Sequence, residues 1–254
     1  MRRVMPAADP SPVPGALPSA TGALYLIPVP LGPAPAREVL PEAVIARAAR
    51  LKHFIAENAK SARAFLKSLP SESPLQEIDI QPLDEHTPPD MLPRLLAPLL
   101  AGHDAGLISE AGCPAVADPG AALIALAHEA GIPVAPLVGP SSILLALMAS
   151  GLSGQNFSFH GYLPVKDGPR RKRIRELEEE SRRAGRTQLF IETPYRNRRM
   201  FESLLEVCSP RTRIGIAADL TLPGQRIMTK RRDAWRVAEF SDIDKHPAVF
   251  LLSA

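Results

Sequence analysis

Apolar and polar positions repeat along this chain with the periods of strands and helices from Thr21 onward. Residues 23–29 are a strand-like apolar run closed by the rigid turn Pro28-Val29-Pro30-Leu31-Gly32. Spacing over 37–50 is helical, and 53–57 reads as a short strand. Asn58 follows, where a side-chain oxygen can take an orphan N–H and cap a helix running to Leu69. Residues 76–83 alternate as a half-exposed strand does, and 92–100 predicts a helix despite Pro93 and Pro98. A strand over 106–109, a helix over 119–130 stopped by Gly131 and a strand over 133–138 complete the first half. Strand and helix alternating with short connections predict a mainly parallel sheet covered by helices.

Beyond Gly151 the texture changes. Strands over 157–162 and 188–193 flank a long charged helix, 168–184. A helix over 195–208 gathers Phe201, Leu204, Leu205 and Cys208 on one face. Strands over 213–218 and 225–230, separated by Leu222-Pro223-Gly224, predict antiparallel pairing. A helix over 231–240 and a strand over 248–252 follow. The fold class expected is α/β with two α/β domains, the N-terminal sheet mainly parallel and the C-terminal sheet mixed. The expected divisions are a proline-rich, disordered leader over 1–20, then domains over 21–140 and 141–254.

Composition narrows the function classes. With 45% apolar and 22% charged residues, the 254-residue chain matches an ordinary globular protein with a substantial core. The apolar runs 121–127 and 143–149 are too short to cross a bilayer, and the leader lacks the apolar centre of an export signal. Cys113 and Cys208 cannot build a disulfide framework, and none of the six histidines has a second ligand at metal spacing. A cytoplasmic protein with no metal site is expected. A net charge of +3 permits a nucleic-acid partner without requiring one.

No Gly-x-Ser-x-Gly elbow, His-Glu-x-x-His, Walker loop or Gly-x-Gly-x-x-Gly fingerprint is present. His160 reads as a strand histidine. What remains is a series of turns at the ends of predicted strands: Pro30-Leu31-Gly32, 110–118, 139–142, Glu192-Thr193-Pro194 and Asp219-Leu220-Thr221. Each alone is a good turn sequence, since Gly, Pro, Ser and Asp dominate turns. In series at successive strand ends, two of them opening helices, they predict a ligand crevice that presents backbone N–H groups.

That series resembles the tetrapyrrole methylase (class III) superfamily of S-adenosylmethionine-dependent methyltransferases, and within it the 16S rRNA 2′-O-ribose cytidine methyltransferase I group. The matching segments are 24–32, 108–120, 139–152, 161–166, 190–196 and 217–221, in family order. The resemblance implies two domains with S-adenosyl-L-methionine held between them, in a homodimer, and RNA of the small ribosomal subunit as partner. It places Pro30 and Gly32 where backbone approaches the cofactor. Glu110, Cys113 and Val116 fall in the loop beside its methionine and ribose. Ser141 and Ser142 lie at a helix N-terminus meeting the ligand, and Glu192, Ala218 and Thr221 near the adenine side. The chain departs from the group at Asn58-Ala59-Lys60, where Asp-Thr-Arg is usual, at Glu110 for Asp, at Cys113 for Thr and at Asp219 for Glu.

A ribose hydroxyl needs a nearby base to become a nucleophile. Glu57 keeps its place in the matching motif and is the candidate; its other reading is a helix-start carboxylate stabilised by the dipole. Lys60, Arg63, Lys166, Arg170, Arg171 and Arg173 are candidates for RNA phosphates. The cations at 166–175 oppose their helix dipole, which suits phosphate binding; the competing reading is Glu–Arg pairing along a solvated face. Three functions stay open: a ribosomal RNA ribose methylase, a methylase of tetrapyrroles or other small molecules, and a non-catalytic S-adenosylmethionine binder.

Overall fold

Every strand of the first sheet runs the same way, so the chain leaves all of them at one edge. The computed structural model describes residues 21–70 and 74–254, and the expected leader over 1–20 lies outside them. Two units are present: Pro35–Gly139 together with the described residues up to Pro30, and Leu31–Ala34 together with Pro140–Ala254.

The first unit holds β1 (Leu24–Leu26), β2 (His53–Ala56), β3 (Asp79–Pro82), β4 (Ala105–Ile108) and β5 (Val134–Pro136), in the order β3-β2-β4-β1-β5. All neighbours are parallel; Leu24 sits beside Ala105 on one flank and Val134 on the other. Helices α1 (Ala36–Val39), α2 (Glu42–Arg50) and α3 (Ala59–Lys67) pack Leu40, Ile45, Ala48 and Leu66 in one cluster with Phe54. Helices α4 (Leu92–Leu95), α5 (Ala97–Leu100) and α6 (Ala121–Glu129) pack Leu95, Leu99 and Leu123 in another with Ile55. Phe54 and Ile55 are adjacent in β2, so the two clusters lie on opposite faces. Burial on both faces explains why all four residues of β4 are buried and small or aliphatic.

The second unit holds β6 (Phe157–Tyr162), β7 (Thr187–Glu192), β8 (Arg213–Ala218), β9 (Arg226–Arg231) and β10 (Ala248–Ser253), in the order β6-β7-β10-β8-β9. Only β6 and β7 are parallel, which makes the sheet mixed. Helices α8 (Asp167–Ala184) and α9 (Asn197–Val207) bury Ile174, Leu177, Phe201 and Leu204 in a cluster with Phe190 and Phe250, whose rings stack 5.8 Å apart. Helix α7 (Ser142–Ser150) contributes Ile143, Ala146 and Leu147 to a separate cluster with Leu189, Val249 and Leu251. Among the described residues no helix is long and apolar enough to cross a membrane.

Proline accounts for two of the differences from the expected elements. The helix over 37–50 is two helices, because Pro41 holds the preceding Leu40 extended (φ −112°, ψ 139°). The helix over 92–100 is likewise two short ones, with Pro93 and Pro98 each in a first turn, where a missing N–H costs nothing. The strand over 76–83 begins only at Asp79, after a 3₁₀ turn at Leu75–Glu77. The helix over 231–240 is absent: 3₁₀ turns at Arg232–Ala234 and Val237–Phe240 flank an extended Trp235. Its indole N–H reaches the Ile214 carbonyl at 3.0 Å, a tertiary bond that outweighs local propensity.

Asn58 caps α3 as its position predicts, its Oδ1 accepting from the N–H of Lys60 (2.9 Å) and Ser61 (3.4 Å). Asn58→Ala leaves both donors to water and should cost about 1 kcal/mol, read as a lower urea midpoint, whereas Asn58→Asp should keep the wild-type value.

Candidate functional site

Strand order makes a crevice at one place on the first sheet's exit edge. From β1 the chain moves past β4 to β2; from β4 it moves past β1 to β5. Adjacent β1 and β4 therefore send their connections in opposite directions, and the loops part above them. Open α/β sheets bind ligands at such a switch point. Here the parting loops are tied: Val29 N–H donates to Gly112 O (2.9 Å) and Gly112 N–H to Val29 O (3.1 Å). The loop after β5 closes in as well. A Cβ on Gly139 would lie 2.3 Å from Pro28 Cβ, so only glycine permits this approach.

The loop from Ser109 to Gly120 is backbone held against its preference. Gly112 (φ 73°) and Gly120 (φ 138°) carry positive φ, and so do Ala115 (φ 62°) and Ala117 (φ 66°), which flank Val116. Left-handed alanine is strained, and such strain gathers at ligand sites. Val116 is 47% exposed, Glu110 is exposed and Cys113 half-buried. Burial pushes the Cys113 thiol up, away from reactivity.

Beside this loop the first unit gathers acid groups. Glu57, at the end of β2, is half-buried, and burial raises its pKa, with Asp118 and Glu110 adding like charge; a backbone bond from Glu110 opposes the shift. Asp118 is raised by burial, with Glu110 adding to it and a hydrogen bond from Ser109 opposing. A depression of about 360 Å³ lined by Asp84, Thr87, Asp118 and Gly120 opens at the same edge. Sequence spacing lists these carboxylates without showing that they meet. Only the β2–β4 neighbourhood does so.

In the second unit, register places Glu192, Ala248, Ala218 and Arg226 in one row across four strands. Glu192 is buried, accepting from the Arg196 guanidinium (2.6 and 2.8 Å) and Thr193 N–H (2.8 Å), so its carboxylate orders the following turn. Ala218 is fully buried. Asp219 (φ 52°) and Thr221 (φ 70°) strain the next loop, and His246 Nδ1 sits 2.5 Å from Asp219 Oδ2, a partner the motif reading missed. Thr221 Oγ1 is buried without a hydrogen-bond partner. Gly32 lies against Leu222 of this same loop, where a Cβ would come within 2.8 Å of a methyl. Ser141 caps α7 by accepting from Leu144 N–H (3.5 Å); Ser142, the first helical residue, is half-buried. Pro30 is half-buried just beyond the Val29 bridge.

The charged helix corrects an expectation. Arg170 is 2% exposed and cannot reach RNA: it donates to Ser203 Oγ (3.0 Å), Val165 O (2.9 Å) and Asp167 Oδ1 (2.7 Å). The signal was present in the spacing. Arg170 precedes buried Ile174 and Leu177 by four and seven positions, on the helix's inward stripe. Arg171 pairs with Glu206 and Asp167, and Arg173 with Glu176 (3.2 Å) and Glu180 (3.0 Å), the solvated pairing that competed with phosphate binding. Lys60 and Lys166 are exposed, while the exposed Arg63 turns back to Ala59 O at 3.5 Å.

Residues 23–234 match the family described as Tetrapyrrole (Corrin/Porphyrin) Methylases. The chain belongs to this family. Relatives carrying the name Ribosomal RNA small subunit methyltransferase I include one from Vibrio cholerae, 35% identical over 139 residues, covering 55% of this chain and 47% of the relative. Another, from Micromonospora olivasterospora, is 32% identical over 213 residues, covering 83% and 63%. The chain spans about half the length of the first curated relatives it matches. Among solved structures the methyltransferase CobJ superposes with a TM-score of 0.60 at 21% identity, covering 92% of this chain and 94% of that one. A uroporphyrin-III C-methyltransferase from Thermus thermophilus, complexed with S-adenyl homocysteine, gives 0.54 at 18% identity, covering 91% and 97%. Both likenesses establish the tetrapyrrole methylase fold.

Because folding raises the Glu57 pKa, the folded state binds this proton more tightly than the unfolded state. Its contribution to stability is full below the unfolded pKa and is lost as pH rises through the folded one. Glu57→Gln should therefore raise the melting temperature at pH 7, by no more than about 2 °C given solvent screening, and should match wild type below about pH 4. Melting curves across pH check both limbs.

Proposed function

We propose that this family member is an S-adenosyl-L-methionine-dependent methyltransferase whose acceptor is a ribose 2′-hydroxyl of small-subunit ribosomal RNA. The observation that carries the reading is the tied switch point: strained backbone of residues 112–117, bridged to Val29, in a chain whose relatives bear a ribosomal RNA methyltransferase name. The residues suit such a cofactor. Gly139 permits close loop approach, and the orphaned Thr221 hydroxyl is a buried polar atom awaiting a hydrogen-bonding ligand.

When bound, the cofactor supplies an electrophilic methyl group on a sulfonium. This chain's part is positioning and proton removal. Pro30, Gly32 and the loop bearing Glu110, Cys113 and Val116 are assigned to offer backbone groups; Ser141, Ser142 and Thr221 are assigned to cofactor contact, Glu192 to ordering its turn, and Ala218, fully buried, to the strand beneath rather than to contact. Glu57 is assigned to take the hydroxyl proton, since a base raised toward neutral pH accepts it more readily. Of the six candidates for RNA phosphates, Lys60, Arg63 and Lys166 are the exposed ones left to that role. The homodimer belongs to the same proposal, and exposed Leu144 and Met148, one turn apart on α7, give it apolar surface. The same proposal takes the protein to be cytoplasmic.

Incubating the chain with methyl-labelled cofactor and either small ribosomal subunits or a tetrapyrrole tests the acceptor. Label in the RNA is expected; label only in the tetrapyrrole, or binding without transfer, contradicts the proposal. Glu57→Gln should lower transfer roughly 100-fold or more while leaving S-adenosylhomocysteine affinity unchanged.

A further inference from the structure

Helix α8 leaves the RNA question open, because Arg171, Arg173 and Arg182 are spent on carboxylates and Arg170 on a buried strut. The surface that this strut builds is different. Tyr162 ends β6, and Tyr195 sits in the 3₁₀ turn Pro194–Arg196 that follows β7. These strands are parallel neighbours, with Tyr162 in register with Ile191, so both tyrosines leave the sheet at the same end. They are the two tyrosines of the second unit, and they stand 57% and 71% exposed. The Arg196 guanidinium lies 5.2 Å from the Tyr195 ring centre, and both phenols interact with it electrostatically. Arg196 is in turn held by buried Glu192.

Arg170 fixes the two sides of this surface to each other. It donates to Val165 O, three residues after Tyr162, and to Ser203 Oγ, which donates to Arg199 O (2.7 Å), four residues after Tyr195. Val165 is 56% exposed, and Lys166 and Arg199 are exposed cations on either side. Two rings presented on a braced frame lose little freedom when covered, so they bind flat ligands at low entropic cost. Aromatic faces bordered by Lys and Arg suit nucleobases on a phosphate chain. A base inside a duplex shows only its edges, so the ligand chemistry is an unpaired strand.

We propose that Tyr162 and Tyr195 form a stacking platform for unpaired nucleotides of the RNA acceptor, with Lys166 and Arg199 meeting the adjoining phosphates. The proposal rests on the RNA reading above and relocates the contact from α8 to the exit edge of β6 and β7.

The test titrates the full chain with a single-stranded RNA oligonucleotide carrying 2-aminopurine, and with a duplex of the same sequence. Quenching of the 2-aminopurine and preference for the single strand are expected. Tyr162→Ala and Tyr195→Ala should each weaken single-strand binding roughly 10-fold, with the Phe variants near wild type and the salt slope unchanged. Lys166→Gln and Arg199→Gln should each lower that slope by about one. S-adenosylhomocysteine affinity should not move in any of the four tyrosine variants, which also shows them folded. A wild-type chain that methylates RNA while both Ala variants bind it normally overturns the platform and leaves the acceptor reading standing. A wild-type chain that binds S-adenosylhomocysteine but neither binds nor methylates RNA overturns both, as does a platform whose Ala variants lose only tetrapyrrole binding.

Discussion

Two backbone hydrogen bonds between Val29 and Gly112 hold together loops that strand order drives apart. A parallel sheet with order β3-β2-β4-β1-β5 must part its connections above β1 and β4. Left untied, those loops would be long and mobile. The bridge turns them into a fixed rim, and glycine makes it possible, because residue 112 adopts φ 73°. The strained alanines at 115 and 117 persist only because the chain is pinned at Gly112 before them and capped by α6 after them.

Charge in this protein is used for shape as much as for recognition. Arg170 gives up nearly all contact with water to join Val165, Asp167 and Ser203, and Glu178 is buried beneath Ser209 and Thr212. A buried ion is retained only when its hydrogen bonds are complete, and both of these satisfy several partners at once. The Glu192–Arg196 pair follows the same logic at the end of β7. The first unit does the opposite. Glu57 is raised by burial and by the charges of Asp118 and Glu110, and Asp118 by burial and by Glu110, an arrangement that costs stability and suits proton transfer.

Strands buried on both faces were legible because apolar continuity is dictated by burial; residues 213–218 and the helix cap at Asn58 are observed where spacing predicts them. Periodicity is blind to the breaks at Pro41 and at Pro93 and Pro98, since the apolar positions continue across them in phase. Residues 231–240 misled because the indole of Trp235 takes its direction from Ile214, a strand away. The site turns were recognisable as turns, but the meeting of Glu57 with Asp118, and of Asp219 with His246, depends on which strands are neighbours. The run 170–175 reads as uniformly cationic until its members are sorted by helical phase, which alone separates buried Arg170 from Arg171 and Arg173.

The bridged rim is the proposed seat of an S-adenosyl nucleoside. Hydrogen–deuterium exchange with and without S-adenosylhomocysteine reads that rim amide by amide. Slowed exchange across residues 27–32 and 110–118 is the predicted result. Unchanged exchange there under saturating ligand, or protection confined to segments outside those loops, contradicts it.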